Sequence, residues 1–160
     1  MAASTDPHDL DRFVEAQASI YEQALAELLA GAKRSHWMWF VFPQIAGLGT
    51  SSMAQRYAIR SKEEALAYIS HPLLGKRLTA CAQVMLSAGG TANGGRSAHA
   101  ILGSPDDLKF RSSMTLFAAV SGRDSLFQRA LDRFFDGIPD DRTLALIGSG
   151  DLDPFQKLLP

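Results

Sequence analysis

Cysteine is nearly missing from this chain: Cys81 is the single one in 160 residues. No intramolecular disulfide can form, and a cysteine-rich zinc site is excluded. A lone thiol fits a reducing compartment. Charge of either sign is not in excess, with 16 Lys and Arg against 17 Asp and Glu. That balance argues against nucleic acid as a partner, because such binders carry a basic excess on the binding face. Only a local cluster, such as Arg56, Arg60, Lys76 and Arg77 drawn together, would restore that reading. Long apolar runs are missing too: the longest, Trp37 to Phe42, is far too short to span a bilayer. Met1 to Asp11 is small, polar and acidic, without the basic start and apolar stretch of a secretory signal. The expectation is a cytoplasmic protein with no membrane partner.

The familiar signatures of catalysis are absent as well. There is no HExxH, no GxSxG and no GxGxxG. His8, His36, His71 and His99 show no helical metal-binding spacing, so neither a metal nor a cofactor is expected. Gly90 to Ser97 is one substitution from a phosphate-binding loop, with Arg96 where the lysine belongs. That motif needs a strand before it and a long helix after it. Here a helical piece precedes and a very short one follows, so the segment is read as an exposed loop.

What the chain does have is a core-forming composition, 46% hydrophobic and 21% charged, and a length that buries a core without staples. Gly and Pro cut it into helix-sized pieces. Leu10 to Gln17 makes a short first helix. Ile20, Ala24, Leu25, Leu28 and Leu29 share a helical face, with Glu22, Gln23 and Glu27 elsewhere and Gly31 as the stop. Ser61 and Glu64 form a capping box. His71-Pro72 starts a helix whose apolar face is Leu74, Leu78, Cys81, Ala82 and Met85. Ser104-Pro105-Asp106-Asp107 starts another, with Phe110, Met114 and Phe117 buried. Asp124 starts the next, striped by Phe127, Ala130, Leu131 and Phe134 and ended by Gly137 and Pro139. A last helix runs from about Asp140 to Ile147. Trp37 to Phe42 is the one plausible strand, and Pro43 to Thr50 and Ser87 to Arg96 are loops. The expected fold is all-α: a compact multihelical single domain over residues 10–148, with about seven or eight helices, several of them short. A flexible segment 1–9 and a tail 149–160 flank it.

Two strings stand out chemically. Ser35 to Gln44 packs Trp37, Trp39, Phe40 and Phe42 beside His36 and Gln44. Such a set can hold a flat ligand, with His36 as acid or base. Equally, large aromatics are core formers whose indole N–H groups find backbone partners. In the second string, Lys109, Ser112 and Ser113 are spaced i, i+3 and i+4 on one helix face. A lysine with two hydroxyls can grip a phosphate or carboxylate, and lysine can activate a serine. The alternative is a solvated lysine and hydroxyls bonded back to the preceding turn. Asp140, Asp141, Asp151 and Asp153 read as turn and cap residues, and His71 as a cap.

These strings, together with Gly47-Leu48-Gly49, Tyr57-Ala58-Ile59, His71 to Gly75 and the run Lys109 to Phe117, resemble a family common in bacteria. It is catalogued as domain of unknown function 1810 and sometimes labelled "calpastatin". The resemblance extends from about Leu10 to Ile147. It implies a compact multihelical fold and a cytosolic protein, and it implies no activity, so no catalytic residue is carried over from it. Calpain inhibitors of the calpastatin kind are long, polar and disordered, unlike this composition.

Two functions of different classes follow. In the first, the two strings meet in a polar-aromatic pocket for a nucleotide-like or anionic small molecule, lined by Trp37, Trp39, Gln44, Lys109, Ser112 and Ser113. His36 and Lys109 are then the candidate catalytic groups, and the residues leave open whether the ligand is turned over. In the second, the chain is a non-catalytic interaction or regulatory module that binds a protein partner through an exposed apolar patch around Pro43 to Met53.

Overall fold

The computed structural model describes residues 6–88, 96–122 and 124–151. Among them lie ten helices and no strand. They are α1 (Asp11–Ala18), α2 (Tyr21–Leu29), α3 (Met38–Val41), α4 (Ser52–Arg56), α5 (Lys62–Ser70), α6 (Leu74–Ala88), α7 (Ala98–Leu102), α8 (Asp106–Ser121), α9 (Leu126–Phe135) and α10 (Asp141–Asp151). The all-α expectation holds. The surplus over the expected number comes from single-turn pieces such as α4, which are too short for a periodicity to register. No described helix is long and apolar enough to cross a membrane. Residues 1–5, the centre of the Gly-rich loop and the end of the tail lie outside the described residues.

The middle of the fold is α8, packed against α3, α5, α7, α9 and α10. Phe110, Met114, Leu116 and Phe117 are fully buried, as is Ser113 between them, while Ser112 and Thr115 are nearly so. A helix surrounded by neighbours shows no clean polar face. Each buried phenyl ring contributes about 1.5–3 kcal/mol over an exposed one. The expected faces of α6 and α9 also pack inward, with Leu74, Leu78, Cys81, Ala82, Met85, Phe127, Ala130 and Leu131 all buried. At the corner between α5 and α6 a Cβ on Gly75 would overlap the carbonyl oxygen of Ile69, so only glycine fits.

Several expectations are corrected. Trp37 to Phe42 is not a strand: the amides of Val41 and Phe42 bond back to the carbonyls of Trp37 and Met38. Met38, Phe40, Val41 and Phe42 are buried on all sides, so the run carries no periodicity to distinguish a helical turn from a strand. Within the Pro43 to Thr50 loop, Ile45 forms an isolated parallel bridge with Ile59. On α2, Leu29 is 67% exposed while Glu27, assigned to the polar face, is buried. The chain after Gly31 folds back over Glu27 and supplies its carboxylate with donors, which moves the buried stripe away from Leu29. The cap of α9 is Ser125, whose hydroxyl accepts from the Gln128 amide, rather than Asp124. His71 caps α6 as read, its Nδ1 accepting from the amides of Leu73 and Leu74. Ser61 caps α5, its hydroxyl accepting from the Glu64 amide, and the Glu64 carboxylate accepts from the Arg60 amide at 3.3 Å and makes a buried ion pair with Arg12 at 2.6 Å.

Candidate functional site

A cleft of about 440 Å³ opens where three segments meet. The loop after α3 supplies Gln44, Leu48 and Gly49. The start of α8 supplies Pro105, Leu108, Lys109, Arg111 and Ser112. The start of α10 supplies Asp140 and Arg142.

Local bonding holds each wall. The Gln44 segment is pinned by paired backbone bonds: the Ala46 amide donates to the Ile59 carbonyl and the Ile59 amide to the Gln44 carbonyl, both at 2.8 Å. The start of α10 is clamped onto α8 by two residues one helical turn apart. Arg111 donates Nε to the Ile138 carbonyl (2.9 Å) and Nη2 to the Pro139 carbonyl (3.0 Å). Thr115 Oγ1 accepts from the Asp140 amide (2.9 Å) and donates to the Arg111 carbonyl (2.8 Å). Asp140 then caps α10, its carboxylate accepting from the Thr143 amide and hydroxyl.

Among the described residues the lining carries three cations and one carboxylate. The carboxylate, Asp140, is occupied by its cap. Arg111 is fixed by two carbonyls and keeps its remaining N–H groups. Arg142 takes part in no hydrogen bond or ion pair among the described residues. Lys109 Nζ lies 5.4 Å from the centroid of the Trp39 ring and 3.6 Å from Asp106 Oδ1. The lining is thus a cationic surface with an apolar wall of Leu48, Pro105 and Leu108, suited to a small anion.

The two sequence strings converge here in part. Gln44, Lys109 and Ser112 line one cleft. Ser112 Oγ donates to the Leu108 carbonyl at 3.1 Å, the back-bonded state that also explains a serine inside a helix. Ser113 is fully buried, does not line the cleft, and its hydroxyl has no hydrogen-bond partner among the described residues. Trp37 is fully buried and offers no face to a ligand; its indole N–H donates to the Glu27 carboxylate rather than to the backbone. Trp39 is half-buried and reaches the cleft only through Lys109. His36 is exposed and lies outside the lining. Reading the sequence missed Arg111 and Arg142 and took Asp140 for a cap alone. A lone arginine at a helix start carries no pattern; only its position beside an expected cap, Asp140, marked that region.

Other groups are poor candidates for chemistry. Among the described residues, no three His, Cys, Asp or Glu side chains gather to hold a metal ion. Burial pushes the Cys81 thiol up to about 12, so it is protonated and unreactive near neutrality. Burial likewise pushes Tyr21 up to about 12.

Comparison with known proteins supports the sequence resemblance. The model of a family described as protein of unknown function DUF1810 matches residues 7–147. Among solved structures, the conserved hypothetical protein Rv1873 from Mycobacterium tuberculosis superposes with a TM-score of 0.83 at 50% identity. The match covers 89% of this chain and 99% of that one. No curated protein matches the chain. With most of its length matched, and a solved structure half identical to it, the chain belongs to the DUF1810 family of proteins of unknown function.

Proposed function

We propose that this protein binds a small anionic metabolite in the cleft between the start of α8, the start of α10 and the loop after α3. The observation that carries the reading is convergence. Gln44 and the Lys109–Ser112 pair, far apart from each other in the sequence, line the same cleft as Arg142, a guanidinium without a partner among the described residues. Solvated surface arginines are common, but here two further cations share a concave wall with it.

The lining also narrows the ligand class. Among the described residues it contains no aromatic ring, so recognition works through charge and hydrogen bonds, with Leu48, Pro105 and Leu108 covering an aliphatic portion. A phosphorylated or carboxylated aliphatic metabolite fits better than a stacked nucleobase. No general acid or base is assigned, because His36 lies outside the lining. The single thiol, buried and unpaired, supports a cytoplasmic setting.

The test is a thermal-shift screen of the full chain against anionic metabolites and inorganic phosphate. At a ligand concentration one hundred times Kd, binding adds about 2.7 kcal/mol. For a chain of this size that raises Tm by roughly 5–10 °C. Lys109→Met and Arg142→Met each remove the shift while leaving the ligand-free Tm nearly unchanged. A flat response across the panel defeats the reading and favours a protein-interaction module.

A further inference from the structure

The cation in the cleft is held from behind. Asp106 carries two lysines on one carboxylate. Its Oδ2 lies 2.8 Å from Lys33 Nζ, whose side chain is only 7% exposed and sits 5.1 Å from the centroid of the Trp37 ring. Its Oδ1 lies 3.6 Å from Lys109 Nζ, beyond hydrogen-bond range. Lys33 itself is anchored, its amide donating to the Ile101 carbonyl at 2.7 Å. Trp37 is anchored by Glu27 at 2.9 Å. The buried lysine therefore takes the close contact, and the cleft lysine is attracted without being bonded. Its ammonium protons have no hydrogen-bond acceptor among the described residues and remain available to a ligand.

We infer that Lys33 and Asp106 are positioning residues for the anion site. Lys33 offsets the Asp106 charge, so that Lys109 stays extended over Trp39 instead of closing on the carboxylate. This rests on the anion-binding reading above. Without Lys33, Asp106 becomes a competing anion beside the cleft, and a ligand must displace it from Lys109. Without both Lys33 and Asp106, that competitor is gone and Lys109 is released. Methionine keeps the aliphatic stem of Lys33 against Trp37, and Lys33→Met and Asp106→Asn are each checked to be fully folded at the titration temperature.

The experiment is a titration of the full chain with inorganic phosphate, followed by NMR. The chain has two tryptophans, so the indole N–H signals of Trp37 and Trp39 are assigned with Trp39→Phe. Lys33→Met weakens phosphate binding by about tenfold, the scale of a close charge pair in a partly screened site. Adding Asp106→Asn restores it to within about threefold of wild type. A loss of charge alone would give the same affinities, so the Trp39 signal decides the mechanism. Lys33→Met shifts it in the wild-type background and leaves it in place when Lys109 is already methionine. Phosphate binding unaffected by Lys33→Met, or a Trp39 signal that does not move, overturns the inference. If wild type binds no phosphate, the anion reading fails for this probe, and the Trp39 cycle alone supports or overturns the positioning role.

Discussion

The indole N–H of Trp37 donates to Glu27 Oε1 at 2.9 Å, tying the end of α2 to the aromatic string that follows it. The same carboxylate accepts from the amides of Arg34 (2.8 Å) and Ser35 (3.0 Å), the Ser35 hydroxyl (2.6 Å) and the Gln23 side chain (3.0 Å). A carboxylate is suited to this nest because it only accepts. Glutamine would turn an NH₂ group toward donors. Glu27→Gln is therefore expected to cost about 2 kcal/mol, the scale of hydrogen bonds to a charged group. Urea unfolding of the two proteins measures it, and equal midpoints would mean that the nest does not form.

The nest also sets a dependence on pH. Burial alone pushes the Glu27 carboxyl up from 4.5; the bonds from Ser35, Arg34, Trp37 and Gln23 more than reverse this and hold it well below the usual range. The unfolded chain then takes up the proton first on acidification. The stabilisation is complete above about pH 4.5 and is lost progressively as pH falls below it. Wild type should lose stability more steeply than Glu27→Gln between about pH 4.5 and 3, so that their unfolding free energies converge. A constant gap between the two curves would contradict the depressed carboxyl.

Arg12 makes the complementary point with a cation. Its guanidinium donates to the carbonyls of His8, Asp9, Arg56 and Ala58 and pairs with Glu64, all within 2.6–2.9 Å and out of solvent. Removing one member of a buried pair leaves the other uncompensated, so Arg12→Met should cost about 3–5 kcal/mol. Arg12→Lys should recover little, because one ammonium cannot serve a fork of acceptors. Denaturant titration of the three proteins ranks them, and a stable methionine variant would refute the assignment.

These two residues also show where the sequence was legible. Apolar stripes at helical spacing placed α2, α6, α8 and α9, the Ser61 capping box placed α5, and His71 marked a cap by its chemistry. Glu27 and Arg12 were invisible because their partners lie in other segments. Spacing along one helix reports its own faces, not what folds over them. The same limit divided the candidate site. Lys109 and Ser112 do share the cleft, as their helical spacing allowed, yet Ser113 turns into the core, since α8 is enclosed on most sides. The aromatic string was ambiguous between ligand platform and core. Trp37 is core, and Trp39 supports Lys109. Arg142 had no local pattern at all, and only the clamp between α8 and α10 brings it to the cleft.

Cys81 offers a direct probe of opening. It is fully buried on α6, and burial raises its thiol to about 12. At pH 8 the native protein should show no reaction with a thiol-specific disulfide reagent, and one equivalent should react in denaturant. The labelling rate under native conditions should follow global unfolding, so Glu27→Gln and Arg12→Met accelerate it in proportion to their lost stability. Fast labelling of the native wild type would show that the α6 packing opens locally.

Ser113 separates the core from the cleft. Its hydroxyl is buried without a hydrogen-bond partner among the described residues, one turn from Lys109 and outside the cleft lining. Burying an unpaired hydroxyl is unfavourable, and alanine removes it with little change in shape. Ser113→Ala should therefore be neutral or stabilising by roughly 0–1 kcal/mol, against the destabilisation usual for a core substitution. Phosphate binding should be unchanged, because Ser112, not Ser113, faces that site. Thermal melts and a phosphate titration of Ser113→Ala beside wild type test both halves. A loss of binding in Ser113→Ala would place the hydroxyl in contact with the ligand. A stability loss above about 1 kcal/mol would mean that it has a partner in the folded core.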